Sequence, residues 1–307
     1  ATAIAVGGGA ILDADGNETA AGGVTVLNGG TLEGDGSVGG DITVEGGGTI
    51  QPGEAATVES IASGNLTLQS GAFFNADVSP TDSDVVNVTG DVDLGGATLT
   101  LNSVGGAPTQ IAYYLVNNDG NDTTSGTFNG IADGDTVTVG GVDYELYYNG
   151  ADGNDVILVN TSITPTTIYV DDDWASLTDG TFVDGDLETG ASELGIVNVN
   201  AFASVEAALA KHGNFTGTII VNGGVYDSAI DLTAASNNAG NITLQFSADL
   251  VNTETTVQAD AIIGDADDTL DTSLNGTGIE LLVESGNFSG NISGLGSVTL
   301  DDLGANT

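Results

Sequence analysis

Carboxylates dominate the chemistry this chain can offer. It carries 44 Asp and Glu against one Lys, Lys211, and one His, His212, with neither Arg nor Cys. A Ser-His-Asp arrangement could be built only around His212, which follows a predicted helix and reads as a surface residue. Paired carboxylates serve glycoside hydrolysis. Asp171-Asp172-Asp173 is the densest group, but neighbours on one strand alternate faces and cannot all address one substrate. No catalytic residue is assigned, and the chain is read as a non-enzyme. Acidic loops rich in oxygen donors suit Ca²⁺ better.

Three regions carry the calcium reading. Asp13, Asp15 and Asn17 match positions 1, 3 and 5 of an EF-hand loop, but Glu18 replaces the glycine at position 6 and Val24 the bidentate acid at position 12. Gly150 to Leu158, with Asp152 and Asp155, matches the RTX nonapeptide except for Ala151 in place of Gly. That motif binds calcium between stacked copies, and a single copy stands here; Asp119 and Asp122 belong to a similar loop. The third candidate is Asp171, Asp172 and Asp173 with Asp184 or Asp186 in the following loop. Any one cluster reads equally as turn residues on a solvated surface. For the chain as a whole, at least one functional Ca²⁺ site is expected.

The charge excludes other partners. A formal net charge of −43 leaves nothing to displace counterions from phosphates, so no nucleic acid is expected. An anionic membrane surface repels the chain for the same reason, and no run of apolar residues is long enough for direct membrane insertion as a helix. Disulfides, thiolate zinc sites and Fe–S clusters need cysteine. Self-repulsion of this size is relieved by bound Ca²⁺ or by salt, whose Debye length is about 3 Å at 1 M. A halophilic protein whose acidity is only solvation is therefore a third reading. Disorder is not expected, because 40% of the residues are apolar. The chain opens on Ala1-Thr2-Ala3 without Met and is expected to be a processed segment of a larger exported protein.

The elements that hold these acids are short and repetitive. Val24 to Leu32 is echoed by Ile42 to Ile50, an offset of 18 residues. Leu66 to Phe74 and Val92 to Leu99 are further copies. Each reads as an alternating strand, a Gly-rich corner and a second strand. Alternation sends Val24 and Val26 inward and Thr25 outward, and the glycines supply the φ > 0 a tight corner needs. Periods near 20 residues suggest a solenoid, with a β-sandwich as the alternative. Residues 100–150 are less regular. They hold Tyr113, Tyr114, Tyr144, Tyr147 and Tyr148, which read as strand-face residues with hydroxyls in water or as a carbohydrate platform.

Gly30-Thr31-Leu32-Glu33-Gly34-Asp35-Gly36, Gly48-Thr49-Ile50-Gln51-Pro52-Gly53 and Gly95-Gly96-Ala97-Thr98-Leu99 resemble the strand repeats of autotransporter passenger domains. The resemblance spans about residues 20–160 and returns near 278–300. It implies an all-β, right-handed parallel β-helix, as found in adhesins and large surface proteins.

A second module is expected after a linker at 162–167, giving domains 1–161 and 168–307. It begins with the strand Ile168 to Val170 and a polar loop. A helix over 201–211 follows, capped by Asn200, with Phe202, Val205 and Leu209 on one face. Thr218 to Tyr226 is the next strand and turn. This order resembles the N-terminal cap and first coil of pectate-lyase-like β-helices over about 167–250, where a helix implies cover for the open end of the core. The C-terminus is expected to continue into another domain or subunit.

The expectation for function is an extracellular or cell-surface structural segment of prokaryotic origin: an adhesin, surface layer or self-assembling filament. Its partners would be copies of itself or other surface proteins, with glycans possible. The alternative is a carbohydrate-binding or polysaccharide-degrading β-helix. Asn17, Asn65, Asn87, Asn121, Asn160, Asn214, Asn241, Asn275, Asn287 and Asn291 stand in Asn-x-Ser/Thr sequences and are candidate glycosylation sites.

Overall fold

Alternating Val, Ile and Thr make strands whose two faces differ, and the first half of the chain stacks such strands in parallel. The computed structural model describes residues 3–16, 21–185 and 193–222, and beyond them the strands 230–231, 242–246, 256–259, 262–263, 269–271, 280–283, 291–293 and 297–300. The chain divides into two units, 1–163 and 164–307. It is all-β in character with one short α-helix among the described residues.

Two parallel sheets carry the repeats of the first unit. One joins β1 (Ile4–Val6), β3 (Val24–Val26), β5 (Ile42–Val44), β8 (Leu66–Leu68), β11 (Val92–Asp93) and β14 (Thr124–Ser125). The other joins β2 (Ile11–Asp13), β4 (Thr31–Gly34), β6 (Thr49–Pro52), β9 (Phe73–Val78) and β12 (Thr98–Ser103). The repeats align residue for residue: Val24 pairs with Ile42, Ile42 with Leu66, and Leu66 with Val92. Val24, Ile42, Leu66 and Val92 are all buried, whereas Thr25, Thr43 and Thr67 line the outer face. In the second sheet Leu32, Ile50 and Phe74 form the buried rung series. A one-residue slip would exchange these faces, so burial pins the register. At the corners the chain turns at φ +76 in Gly29 and +85 in Gly47, and the Gly29 N–H donates to the Gly47 carbonyl at 2.8 Å.

The third sheet starts parallel and ends antiparallel. β7 (Ser60–Ser63), β10 (Val85–Val88) and β13 (Ala112–Asn118) pair in parallel, stacking Ile61, Val86 and Val116. β17 (Asp155–Val159) then runs antiparallel to β13, and β16 (Val142–Gly150) and β15 (Asp135–Val139) extend it as a meander. The parallel repeat expected through residue 161 therefore stops before residue 135. The cause is local: Gly140 and Gly141, at φ +61 and +82, form a two-residue hairpin between β15 and β16.

The tyrosines are not a solvated platform. Tyr113, Tyr144, Tyr147 and Tyr148 are buried. The Phe128 N–H donates to the Tyr148 hydroxyl at 3.0 Å, and that hydroxyl donates to the Ile131 carbonyl at 2.9 Å. Phe128 packs between Phe74 and Tyr148, with ring centroids at 5.6 and 6.1 Å. Tyr114 alone of the five is half-buried.

In the second unit, β18 (Thr167–Val170) pairs in parallel with β21 (Ala201–Phe202) on one side and β22 (Gly217–Val221) on the other. The sheet continues in parallel through 242–246, 269–271 and 291–293. β19 (Phe182–Asp184) and β20 (Leu194–Ile196) form a separate antiparallel pair. Helix α1 spans Val205–Lys211 and not 201–211, because Ala201 and Phe202 are drawn into the sheet beside β18. Ser204 caps it, accepting the Ala207 N–H on its Oγ at 3.2 Å. Asn200 is no cap: its Oδ1 accepts the Ile196 N–H at 2.7 Å and its Nδ2 donates to the Leu194 carbonyl at 3.0 Å. No described helix is long and apolar enough to cross a membrane.

Candidate functional site

Strand alternation places Asn118 inward at the end of β13, on the rung beside Val88. A buried amide on an apolar rung must find polar partners, and it finds them in two loops. Its backbone N–H donates to Asp155 Oδ1 at 2.8 Å. Its Nδ2 donates to the Asp122 carbonyl and to Thr124 Oγ1, both at 3.2 Å. Asn154 reaches the same Asp122 carbonyl with its Nδ2 at 2.9 Å, and Thr124 Oγ1 donates to the Asn154 carbonyl. The loop after β13 and the turn between β16 and β17 are thus tied together, although they are distant in sequence.

Two amide oxygens of this junction are left without a hydrogen-bond partner. Asn118 and Asn154 are 1% and 8% exposed, and the Oδ1 of each is buried without a hydrogen-bond partner. Asp155 is 2% exposed. Burial, and next the adjoining Asp152 carboxyl, push its own carboxyl up to about 7, against the pull of the Asn118 N–H. A cavity of about 280 Å³ lies between the loops, lined by Gly120, Asp122, Thr124, Asn149, Asp152 and Asn154. Asp119 is exposed at the start of the first loop. The nonapeptide Gly150 to Leu158 therefore forms a hairpin turn and an antiparallel strand, not a coil able to stack on a parallel copy.

Two further carboxylate groups form elsewhere. Asp13 and Asp15 are joined by Glu54, all three exposed, with one oxygen of each within 4.8 Å of the others. Glu54 comes from the turn after β6, so the third carboxylate is supplied by another repeat and not by the EF-hand-like spacing. Its neighbour Asp15 is the main influence raising the Asp13 carboxyl above its ordinary range. Asn17 lies outside the described residues. In the second unit, Asp171, Asp172 and Asp173 bring an oxygen each within 4.8 Å. Strand alternation forbids this, but the chain leaves β18 at Asp171 and enters a 3-10 turn over Asp172–Ser176, with Asp171 Oδ1 accepting the Asp173 N–H at 3.0 Å. Asp184 is not part of that group, and Asp186 lies outside the described residues.

Sequence reasoning missed a buried carboxylate pair. Asp84 is 0% exposed; its Oδ1 accepts the Glu59 N–H and its Oδ2 the Asp77 N–H, each at 2.9 Å. Asp77 Oδ2 accepts the Ala56 N–H at 2.6 Å, and its Oδ1 accepts Asn102 Nδ2 at 3.0 Å. Burial pushes the Asp84 carboxyl up to about 7 in spite of its two N–H donors. The pair staples the irregular loops beside β7 and β9. Nothing in the run Asp82-Ser83-Asp84 distinguishes it from a solvated turn.

The outer face of β7, β10 and β13 holds a groove of about 330 Å³ lined by Glu59, Asp82, Asn87, Tyr114 and Asn117. Asn117 Nδ2 donates to Asn87 Oδ1 at 3.1 Å along it. Of the glycosylation candidates, Asn121 and Asn214 are exposed, and Asn65 and Asn87 are half-buried. Asn160 is 5% exposed and accepts the Ser162 N–H on its Oδ1, so the folded chain has no room for a glycan there. Asn241, Asn275 and Asn287 lie outside the described residues, and Asn291 is described only as strand backbone. No family model matches the sequence, and no curated protein or solved structure is significantly similar to it.

Proposed function

We propose that the chain is a structural segment of an extracellular surface assembly, with its first unit folded as a β-helix and its acidic loops loaded with Ca²⁺. The observation that carries this reading is the residue-for-residue parallel stacking of repeats. Val24, Ile42, Leu66 and Val92 form one continuous buried series beneath an outer row of Thr25, Thr43 and Thr67. Such stacking builds an element in which each rung packs on its neighbours, which suits a spacer or filament. The resemblance to autotransporter passenger repeats points the same way. Partners on this reading are further copies of the chain or other surface proteins, and the work is mechanical, without a catalytic step.

The test is sedimentation in millimolar Ca²⁺ and then in excess chelator at equal ionic strength. Assemblies that dissolve on chelation support the reading. A monomer in both conditions overturns the self-assembling part of it. Equal responses to KCl and CaCl₂ at matched ionic strength would favour halophilic solvation. A second reading, glycan binding, draws on the groove that combines Tyr114 with Glu59, Asp82, Asn87 and Asn117. Aromatic faces and planar amides suit sugar rings and hydroxyls. Binding of oligosaccharides that Tyr114→Ala abolishes would favour it.

A further inference from the structure

We infer that the junction of the β13 loop with the β16–β17 turn is a calcium site, built from the Asp152 and Asp155 carboxylates together with the amide oxygens of Asn118 and Asn154. The inference rests on the reading of the acidic loops as calcium-loaded and names where that calcium sits. Two observations converge on it independently. The first is the pair of neighbouring carboxylates, Asp155 buried with its Oδ2 3.5 Å from the Asp152 backbone nitrogen, in a chain whose sole Lys lies in α1. Two carboxylates held this close without a cation destabilise each other. The second is the pair of buried, unpartnered amide oxygens. Each belongs to an amide whose Nδ2 is anchored on the Asp122 carbonyl, so both are held inside the junction. Buried acceptors without donors cost free energy, and a cation satisfies them and the carboxylates at once.

The donor set selects the ion. All four groups are hard oxygen ligands, mixed between charged carboxylates and neutral amides, which is the chemistry of Ca²⁺. Thiolate is absent from the chain and imidazole from these loops, so ions that prefer sulfur or nitrogen gain nothing here. Mg²⁺ keeps most of its waters and demands a stricter octahedron. An ion at this point would clamp the end of the parallel stack onto the antiparallel meander. Calcium would therefore act as the lock of that end of the first unit.

The test uses the full chain, stripped with chelator and titrated with CaCl₂ at constant ionic strength. Calorimetry gives the binding classes, and backbone amide NMR shows where the ion lands. The expected result is one tight class whose saturation shifts the amides of residues 118–124 and 150–155. Asp152→Asn, at an exposed loop position, should weaken that class by on the order of 100-fold. Asp155→Asn should do the same, with its fold checked by near-UV circular dichroism in 1 M KCl. Asp13→Asn should leave the class intact. Unmoved amides in both loops would mean that ordered water fills the junction, and that overturns the inference. So would tight binding that survives Asp152→Asn. Calcium-dependent assembly that persists in Asp152→Asn, with the local shifts lost, would support this site while detaching it from the assembly reading.

Discussion

Phe73 and Phe74 are adjacent in β9, chemically identical and opposite in environment, which makes them a direct test of the strand register. Phe74 is 0% exposed, paired in register with Ile50 and Leu99, with its ring 5.6 Å from that of Phe128. Phe73 is 40% exposed between Thr49 and Thr98 on the outer face. Phe74→Ala removes a fully buried ring and leaves a cavity between stacked rungs that cannot collapse without breaking the ladder, so the loss should be about 3–5 kcal/mol. Phe73→Ala gives up only cross-strand contacts with two Thr side chains, about 0.2–1 kcal/mol. Against a total of about 5–15 kcal/mol for a typical domain, the first change removes a large share of the stability. The assay is urea unfolding followed by far-UV circular dichroism. Urea is preferred to guanidinium because the latter is a salt and would screen the net charge of −43 as it denatures. The two midpoints should separate widely at a common m-value. Equal losses, or a larger loss at Phe73, would refute the register and the inward assignment of the whole rung series.

Other perturbations address single features. A carboxyl raised to about 7 in the fold stays protonated while its unfolded counterpart ionises, so Asp84 should make stability fall as pH rises from about 4 to about 7; Asp155 is raised to the same range, so Asp84→Asn should reduce the slope of the urea midpoint between pH 6 and 8 without abolishing it, and an unchanged slope would refute the assignment. A Cβ on Gly30 would lie 2.3 Å from the Val6 carbonyl oxygen, so Gly30→Ala should cost about 1–3 kcal/mol in the same assay; a neutral result would mean the corner is looser than described. Ser204→Ala should lower the stability of the second unit by about 1 kcal/mol, read from Trp174 fluorescence, because the Ala207 N–H loses its acceptor.

Much of the first unit could be read before folding. A period-2 pattern makes side-chain direction a local property, so Val24 and Val26 inward and Thr25 outward followed directly from their order. Similar spacing of successive repeats also aligned Val24 with Ile42 and Ile42 with Leu66. Two strands of the meander are legible as well, since Val137-Thr138-Val139 and Tyr144 to Tyr148 read as strands, and Gly140-Gly141 between them carries the two-residue hairpin signal. The extent of α1 was a competition between alanine's helix propensity and a partner strand. Ala201 and Phe202 went to the sheet because β18 offered hydrogen bonds that a helix end cannot match.

The order of residues along the chain was enough to set composition, charge, strand periodicity and the corners, because each depends on neighbours a few positions apart. Tertiary structure alone decided which oxygens meet. Glu54 joins Asp13 and Asp15, Asp84 is stapled to the Asp77 and Glu59 backbone, and Asn118 faces the turn that carries Asn154 and Asp155. Those meetings depend on how many residues each loop spends between rungs and on where the parallel stack gives way to the meander. Burial then turned ordinary turn acids and amides into groups that require a partner, a property no single residue or spacing carries by itself.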